Sequence, residues 1–201
     1  MDIIIGKIVT ANAHTDYVCQ IYGVGEIDPL PRATDHAYGD FVAVELESTG
    51  RPEAKLVGVI YNTMLVNPDY GNLGPRLSTR DDAEIFTPDY LSETATLVGI
   101  ALLGWFDDKG LAHQGVPPLA AAVNAPVWRL NDEEIRRFHS EKTGRFSLRY
   151  MPFLMQQGNP LLPPLMVSIV DRLALLYPEQ EPQLAVVRNN LAWQQVVQTT
   201  G

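Results

Sequence analysis

Apolar residues recur along this chain with two different periods, and the change falls near residue 131. Before it, the apolar runs are short, β-branched or alternating, and they are separated by turn residues, which predicts strands. Ile3–Val9 is a β-branched run. Asp16–Tyr22 places Tyr17, Cys19 and Ile21 on one face and Asp16 and Gln20 on the other, with His14-Thr15 suited to a hairpin turn before it. Gly39-Asp40 launches Phe41–Leu46, where Phe41, Ala43 and Glu45 alternate with Val42, Val44 and Leu46. Ser48–Pro52 reads as a turn, Lys55–Asn62 as the next strand, and Thr94–Trp105 as another, ended by Asp107-Asp108-Lys109-Gly110. A sixth strand is predicted at Pro126–Leu130. Short strands at this spacing predict a barrel or a sandwich.

After residue 131 the spacing turns helical. Asn131 is a capping residue, Glu134 stands three residues on as in a capping box, and Asp132 and Glu133 favour the positive end of a helix dipole. That helix is expected to end near His139 or Ser140, followed by a turn at Thr143-Gly144-Arg145 and a short strand or extended segment over Phe146–Met151. Gly158-Asn159-Pro160 and Pro163-Pro164 read as breakers. Leu165–Leu176 and Gln183–Gln198 then read as helices, with Val167, Val170, Leu173 and Ala174 in the first and Leu184, Val187, Leu191 and Val196 in the second. The fold class expected is α+β, mainly β: a six-stranded small closed β-barrel with long loops over residues 1–130, and a helical region over 131–201 packed on it.

Three glycine-and-apolar strings carry a resemblance. They are Ile5-Gly6-Lys7-Ile8-Val9, Gly39-Asp40-Phe41-Val42-Ala43-Val44 and Leu56-Val57-Gly58-Val59-Ile60. Thr96–Gly104 and the stretch from Gln114-Gly115-Val116-Pro117-Pro118 to Pro126-Val127-Trp128 continue the order. Residues 3–130 resemble the HAS-barrel, the small β-barrel ahead of the ATPase core in HerA-type hexameric helicases, related to the N-terminal barrel of rotary ATP synthase catalytic subunits. The strand order alone also allows an OB-fold or another Greek-key barrel. Gly58 and Gly99 inside strands mark bulges, bends or close backbone approach, which a small closed barrel needs. The departure from the family is that no G-x-x-x-x-G-K-[ST] string exists; Lys142-Thr143-Gly144-Arg145 lacks the second glycine–lysine pair that would cradle phosphates. The resemblance therefore implies a barrel without its motor, with no helicase or nuclease activity carried over.

Charge changes this picture in one respect. The net charge is −9, and all of it lies in residues 1–100, which hold 6 basic and 15 acidic side chains against 9 and 9 in the remainder. An acidic barrel half repels phosphate backbones, so nucleic acid is an unfavoured partner. The one basic cluster is Arg129, Arg136, Arg137, Lys142, Arg145 and Arg149, diluted by Asp132, Glu133, Glu134 and Glu141. A solvated helix face with ordinary ion pairs accounts for it.

Candidate chemistry is sparse. His14, His36, His113 and His139 lie in no H-E-x-x-H string, and the single cysteine excludes both a disulfide and a cysteine-rich zinc module. Cys19 reads as a small core residue. Asp81-Asp82 and Asp107-Asp108 read as solvated turns. No metal, cofactor or catalytic residue is assigned. Trp105, Trp128 and Trp193 read as core or interface residues, and an exposed one would anchor a partner. The N-terminus lacks a basic leader with a long apolar core, and no window approaches a membrane span, so a cytoplasmic protein is expected. The loops 23–38 and 67–93 are the default places for binding. The reading is a non-catalytic interaction or assembly protein that binds a protein partner or itself, with Arg136, Arg137, Arg145, Arg149 and Trp105 as candidate contacts. A DNA-binding barrel, and an enzyme of unrecognised type centred on His36 and Asp81, are the alternatives.

Overall fold

The computed structural model of the chain describes residues 3–46, 54–67, 94–141 and 144–199, with the side chains of the last helix described as far as Trp193. The turn expected at Ser48–Pro52, most of the loop 67–93 with Asp81 and Asp82, and Lys142 lie outside the described residues. Seven strands and four α-helices are described: β1 (Ile3–Ala13), β2 (Asp16–Ile21), β3 (Phe41–Glu45), β4 (Lys55–Val66), β5 (Ala95–Phe106), β6 (Ala112–Gln114), β7 (Pro126–Arg129), α1 (Asp132–His139), α2 (Met151–Met155), α3 (Leu162–Leu176) and α4 (Glu181–Thr199).

The strands run in the order β2-β1-β7-β3-β4-β5, every pairing antiparallel. Pairing of β2 with β5, Asp16–Gln20 against Leu97–Ala101, closes the ring. The result is a six-stranded closed barrel, which decides between the barrel and the sandwich that the strand spacing allows. β6 is an additional short strand on the far end of β5, pairing with Gly104–Phe106. It carries only three residues and no apolar run, which is why the sequence pattern does not announce it.

Two apolar cores use opposite faces of the same strands. Ile5, Ile8, Tyr17, Cys19, Val42, Val44, Leu56, Ile60, Val98, Ile100, Leu102 and Val127 form one cluster, and their alternation places them inside the barrel. The neighbouring residues Phe41, Ala43, Val57, Val59, Ala101 and Leu103 face outwards and form a second cluster with Ile135, Phe138, Leu165, Ile169, Leu173 and Leu184 of the helices. Strands buried on both sides read as continuous apolar runs rather than as clean alternation, and Leu97–Phe106 is such a run.

Bulges adjust this two-sided wall. The register slips between Val57 and Gly58 and again between Ile60 and Asn62, so Leu103 and Tyr61 are the extra residues on β5 and β4. Across the first slip, Leu102 belongs to the inner core and Leu103 to the outer one. Glycines sit where these strands crowd: a Cβ on Gly58 would stand 2.5 Å from Ile100 Cγ2, and one on Gly99 2.9 Å from the Tyr61 ring. Close approach, one of the expectations for these glycines, is what is found.

The helical part begins as predicted. Asn131 Oδ1 accepts the amides of Glu133 and Glu134, and Glu134 Oε2 accepts the Asn131 amide at 3.1 Å. Two expectations are corrected. Of the two readings of Phe146–Met151, short strand or extended segment, the strand does not form: Phe146 makes one isolated bridge to Ser140, and Met151 opens the short helix α2. Pro163-Pro164 does not precede α3 but sits in its first turn, where proline's missing N–H leaves no intrahelical bond unmade. Among the described residues no helix is long and apolar enough to cross a membrane.

Gly104 tests the β5–β6 contact. A Cβ there would stand 2.0 Å from the His113 carbonyl oxygen, a backbone atom that cannot rotate away. Gly104→Ala is expected to lower stability by about 1–3 kcal/mol. Gly23→Ala, whose Cβ would meet nothing closer than 3.6 Å, is expected to stay within about 0.5 kcal/mol. Urea denaturation of the two variants beside the parent chain gives both numbers.

Candidate functional site

The arginines singled out in the sequence lie around the C-terminal half of α1 and the turn after it, and three of them already hold intramolecular partners. Arg136 is a staple between α1 and the end of α3: its Nε–H donates to the Leu176 carbonyl at 3.2 Å, and its own carbonyl accepts the Tyr177 hydroxyl at 2.6 Å. The Arg137 guanidinium lies over the Phe106 ring, 4.5 Å from its centre. Arg149 pairs with Glu141 at 2.7 Å, and its amide donates to Gln114 Oε1. Arg145 is exposed, and its carbonyl accepts the Glu141 amide. One of the four is thus paired with a carboxylate, and two more are held by a carbonyl and by a ring.

Trp105 is half-buried. Its ring stacks on His113, the centres 4.9 Å apart and the planes 10° from parallel. Asp107 holds that histidine at 2.9 Å and accepts the amides of Lys109 and Leu111 through its other oxygen. The His113 hydrogen bond and those amides hold the Asp107 carboxyl down at about 2. Asp107 therefore ties the β5–β6 hairpin, as its turn position implies.

His139 is fully buried, enclosed by Phe41, Phe138, Phe146 and Tyr150. The Ile135 carbonyl can only accept, so Nδ1 carries the proton at 2.8 Å, and Nε2 accepts the Tyr150 hydroxyl at 2.8 Å. Burial disfavours the imidazolium and pushes its pKa down to about 4. Burial likewise pushes the Cys19 thiol up to about 12, which leaves it an inert core residue.

Two small clefts flank Arg129. One, of about 80 Å³, is lined by Glu45, Lys55, Trp128 and Glu134 among others; the other, of about 150 Å³, by Tyr38, Asp40, Ser168 and Arg172 among others. Arg129 bridges the Asp35 and Asp40 carboxylates at 3.4 and 3.6 Å. Asp35 is itself buried, and hydrogen bonds from Arg32 hold its carboxyl below the usual range. Sites for drug-sized ligands enclose roughly 300–1,000 Å³, so these clefts suit ordered water better. Trp128 Nε1 is buried beside the smaller one without a protein partner among the described residues. His36 lies in the turn at the end of the Ala33–Asp35 3-10 helix, and no described residue completes a site with it. Among the described residues no three His, Cys, Asp or Glu side chains converge on a metal position.

What the sequence reading missed is apolar and exposed. The β6–β7 connection carries Val116, Leu119 and Val123, each more than half exposed. The connection is tied down: His14 Nε2–H donates to the Pro117 carbonyl at 2.8 Å, and the Ala121 amide donates to the Tyr17 hydroxyl. The α3–α4 pair exposes Leu175, Val186 and Trp193, the tryptophan at 69%. Of the three tryptophans read as core or interface residues, Trp193 is the exposed one, and its spacing does not signal this, since the buried Leu184 and Leu191 stand equally far apart.

These observations define a barrel filled with side chains, buttressed by helices on one wall and bearing apolar groups on its remaining surface. The chain belongs to the family described as a domain of unknown function, DUF8166, whose model matches residues 1–200. No curated protein matches it.

His139 makes stability depend on pH. Its folded pKa of about 4 lies below the ordinary value of 6.5. Above 6.5 both states are neutral there; as pH falls towards 4 the unfolded chain alone takes up the proton, and stability falls by about 3 kcal/mol. The depressed carboxylates Glu26, Asp35 and Asp107 act at lower pH. Urea midpoints at intervals between pH 7.5 and 4.5 are expected to fall for the parent and to fall much less for His139→Gln.

Proposed function

We propose that this chain is a non-catalytic protein-interaction or assembly module: a HAS-like barrel without an ATPase core, docking in the cytoplasm on a larger machine such as a helicase-type or rotary ATPase. The observation that carries this reading is the β6–β7 connection. Three large apolar side chains, Val116, Leu119 and Val123, stand exposed within eight residues on a segment held by hydrogen bonds to β1, β2 and the turn between them. Apolar groups fixed in place in the free protein lose little conformational freedom on binding, and an ordered apolar surface is what a protein partner recognises. The barrel interior offers no competing use, since the side chains of its own strands fill it. The acidic barrel half and the internally paired arginines weigh against phosphate contact.

The test is a tagged pull-down at native expression level, with and without nuclease, on the parent chain and on a Leu119→Asp/Val123→Asp variant. An ATPase subunit captured in both nuclease conditions, and reduced at least about tenfold by the variant, is the expected result. Capture that vanishes with nuclease supports DNA binding instead; capture indifferent to the variant removes this surface from the reading.

A further inference from the structure

We infer that α4 is a self-association element, its outward face seating the same face of a second copy of this chain about a two-fold axis. This deepens the interaction reading by naming one partner, and it rests on a different surface from the β6–β7 connection. α4 has two apolar seams. Leu184 and Leu191, seven residues apart, are buried with Val187 packed beside them, and they face α3 and the outer core. Val186 and Trp193, also seven residues apart, stand 60% and 69% exposed. Seven residues are two helical turns, so each pair forms one stripe, and the two stripes lie on roughly opposite sides of the helix. A surface helix normally has one apolar stripe; a second, opposite stripe is the pattern of a helix covered on both sides.

Charge selects the occupant. The chain carries −9, so two copies repel in general. From Asn189 to Thr199, however, α4 holds no charged residue. Arg188, just before that stretch, is neutralised by Asp171 of α3 at 2.6 Å. A strongly acidic or basic partner finds nothing to pair with on this face, and an anionic lipid surface finds no lysine or arginine beyond Arg188. A two-fold contact asks for self-complementarity, since each residue meets the same patch. The face supplies it: apolar Val186 and Trp193 meet apolar groups, and exposed Asn189 and Asn190 lie between them. An asparagine amide both donates and accepts, so it satisfies its own copy, and asparagine in an apolar helix seam fixes register and partner number. One helix face, about 28 Å long, makes an interface at the small, transient end of the range, so the association is sought at micromolar concentrations.

Sedimentation velocity from about 1 to about 200 μM covers those concentrations. The expected result is a concentration-dependent monomer–dimer equilibrium that salt up to about 0.5 M does not weaken, because no ion pair is involved and screening relieves the general repulsion between copies, with tryptophan emission shifting to the blue as the dimer forms. Trp193→Asp and Asn190→Asp, both at exposed positions that leave Leu184 and Leu191 in place, are each expected to raise the dissociation constant at least about tenfold, with helicity by circular dichroism unchanged. A monomer at every concentration, or a dimer indifferent to both variants, overturns the proposal. The Leu119→Asp/Val123→Asp variant is expected to dimerise normally, and the Trp193→Asp variant to keep its ATPase capture, so failure of either reading leaves the other readable.

Discussion

The wall formed by β3, β4 and β5 is buried on both sides, and the rest of the architecture depends on it. Its inner face closes the barrel around Val42, Val44, Leu56, Ile60 and Ile100, while its outer face presents Phe41, Val57, Val59 and Leu103 to the helices. A barrel of this size could bury its own interior alone, but these outward apolar side chains would then face water. α1, α3 and α4 cover them, so the second core needs both parts of the chain. The alternation of side chains along each strand makes the double burial possible, and the bulges at Leu103 and Tyr61 bend and twist the wall where the ring closes.

The polar groups near this second core act as fasteners. Arg136 ties α1 to the end of α3 through Leu176 and Tyr177, and His139 ties the last turn of α1 to Tyr150. Tyr38 donates to the Leu161 carbonyl and Arg129 bridges Asp35 and Asp40, holding the loop ahead of β3 against β7 and the start of α3. Each of these groups has chemistry that could serve a site in another setting. Here each is engaged inside the fold, His139 and Asp35 buried with hydrogen-bond partners and Arg136, Tyr38 and Arg129 held at its surface, and such contacts specify one arrangement of loops and helices. Among the described residues, the large apolar side chains outside the two cores stand exposed for contact with other molecules.

Much of the fold is legible in the residues. The alternation in β3, the capping box at Asn131–Glu134 and the helical spacing of Leu165–Leu176 each rest on contacts between near neighbours, which spacing in the sequence reports directly. β6 escapes because three residues of mixed polarity show no period. α2 escapes because five residues make barely more than one turn, too few to repeat an apolar spacing. The candidate arginines were visible as a cluster but their partners were not: Leu176 lies forty residues from Arg136, and Phe106 thirty-one from Arg137.

The amino-acid sequence by itself determined the strand and helix content, the switch from one to the other near residue 131, the acidic barrel half and the absence of a phosphate-loop string. Those follow from local periodicity, backbone preference and composition, which need no knowledge of what packs on what. Only the tertiary structure decided which strands close the ring, that β3–β5 serve two cores, that His139 is held neutral, and that Trp193 rather than Trp105 stands in solvent. The physical reason is that burial and hydrogen-bond satisfaction are set by residues distant along the chain, and a tryptophan on a helix has the same local spacing whether its face meets a neighbour or water.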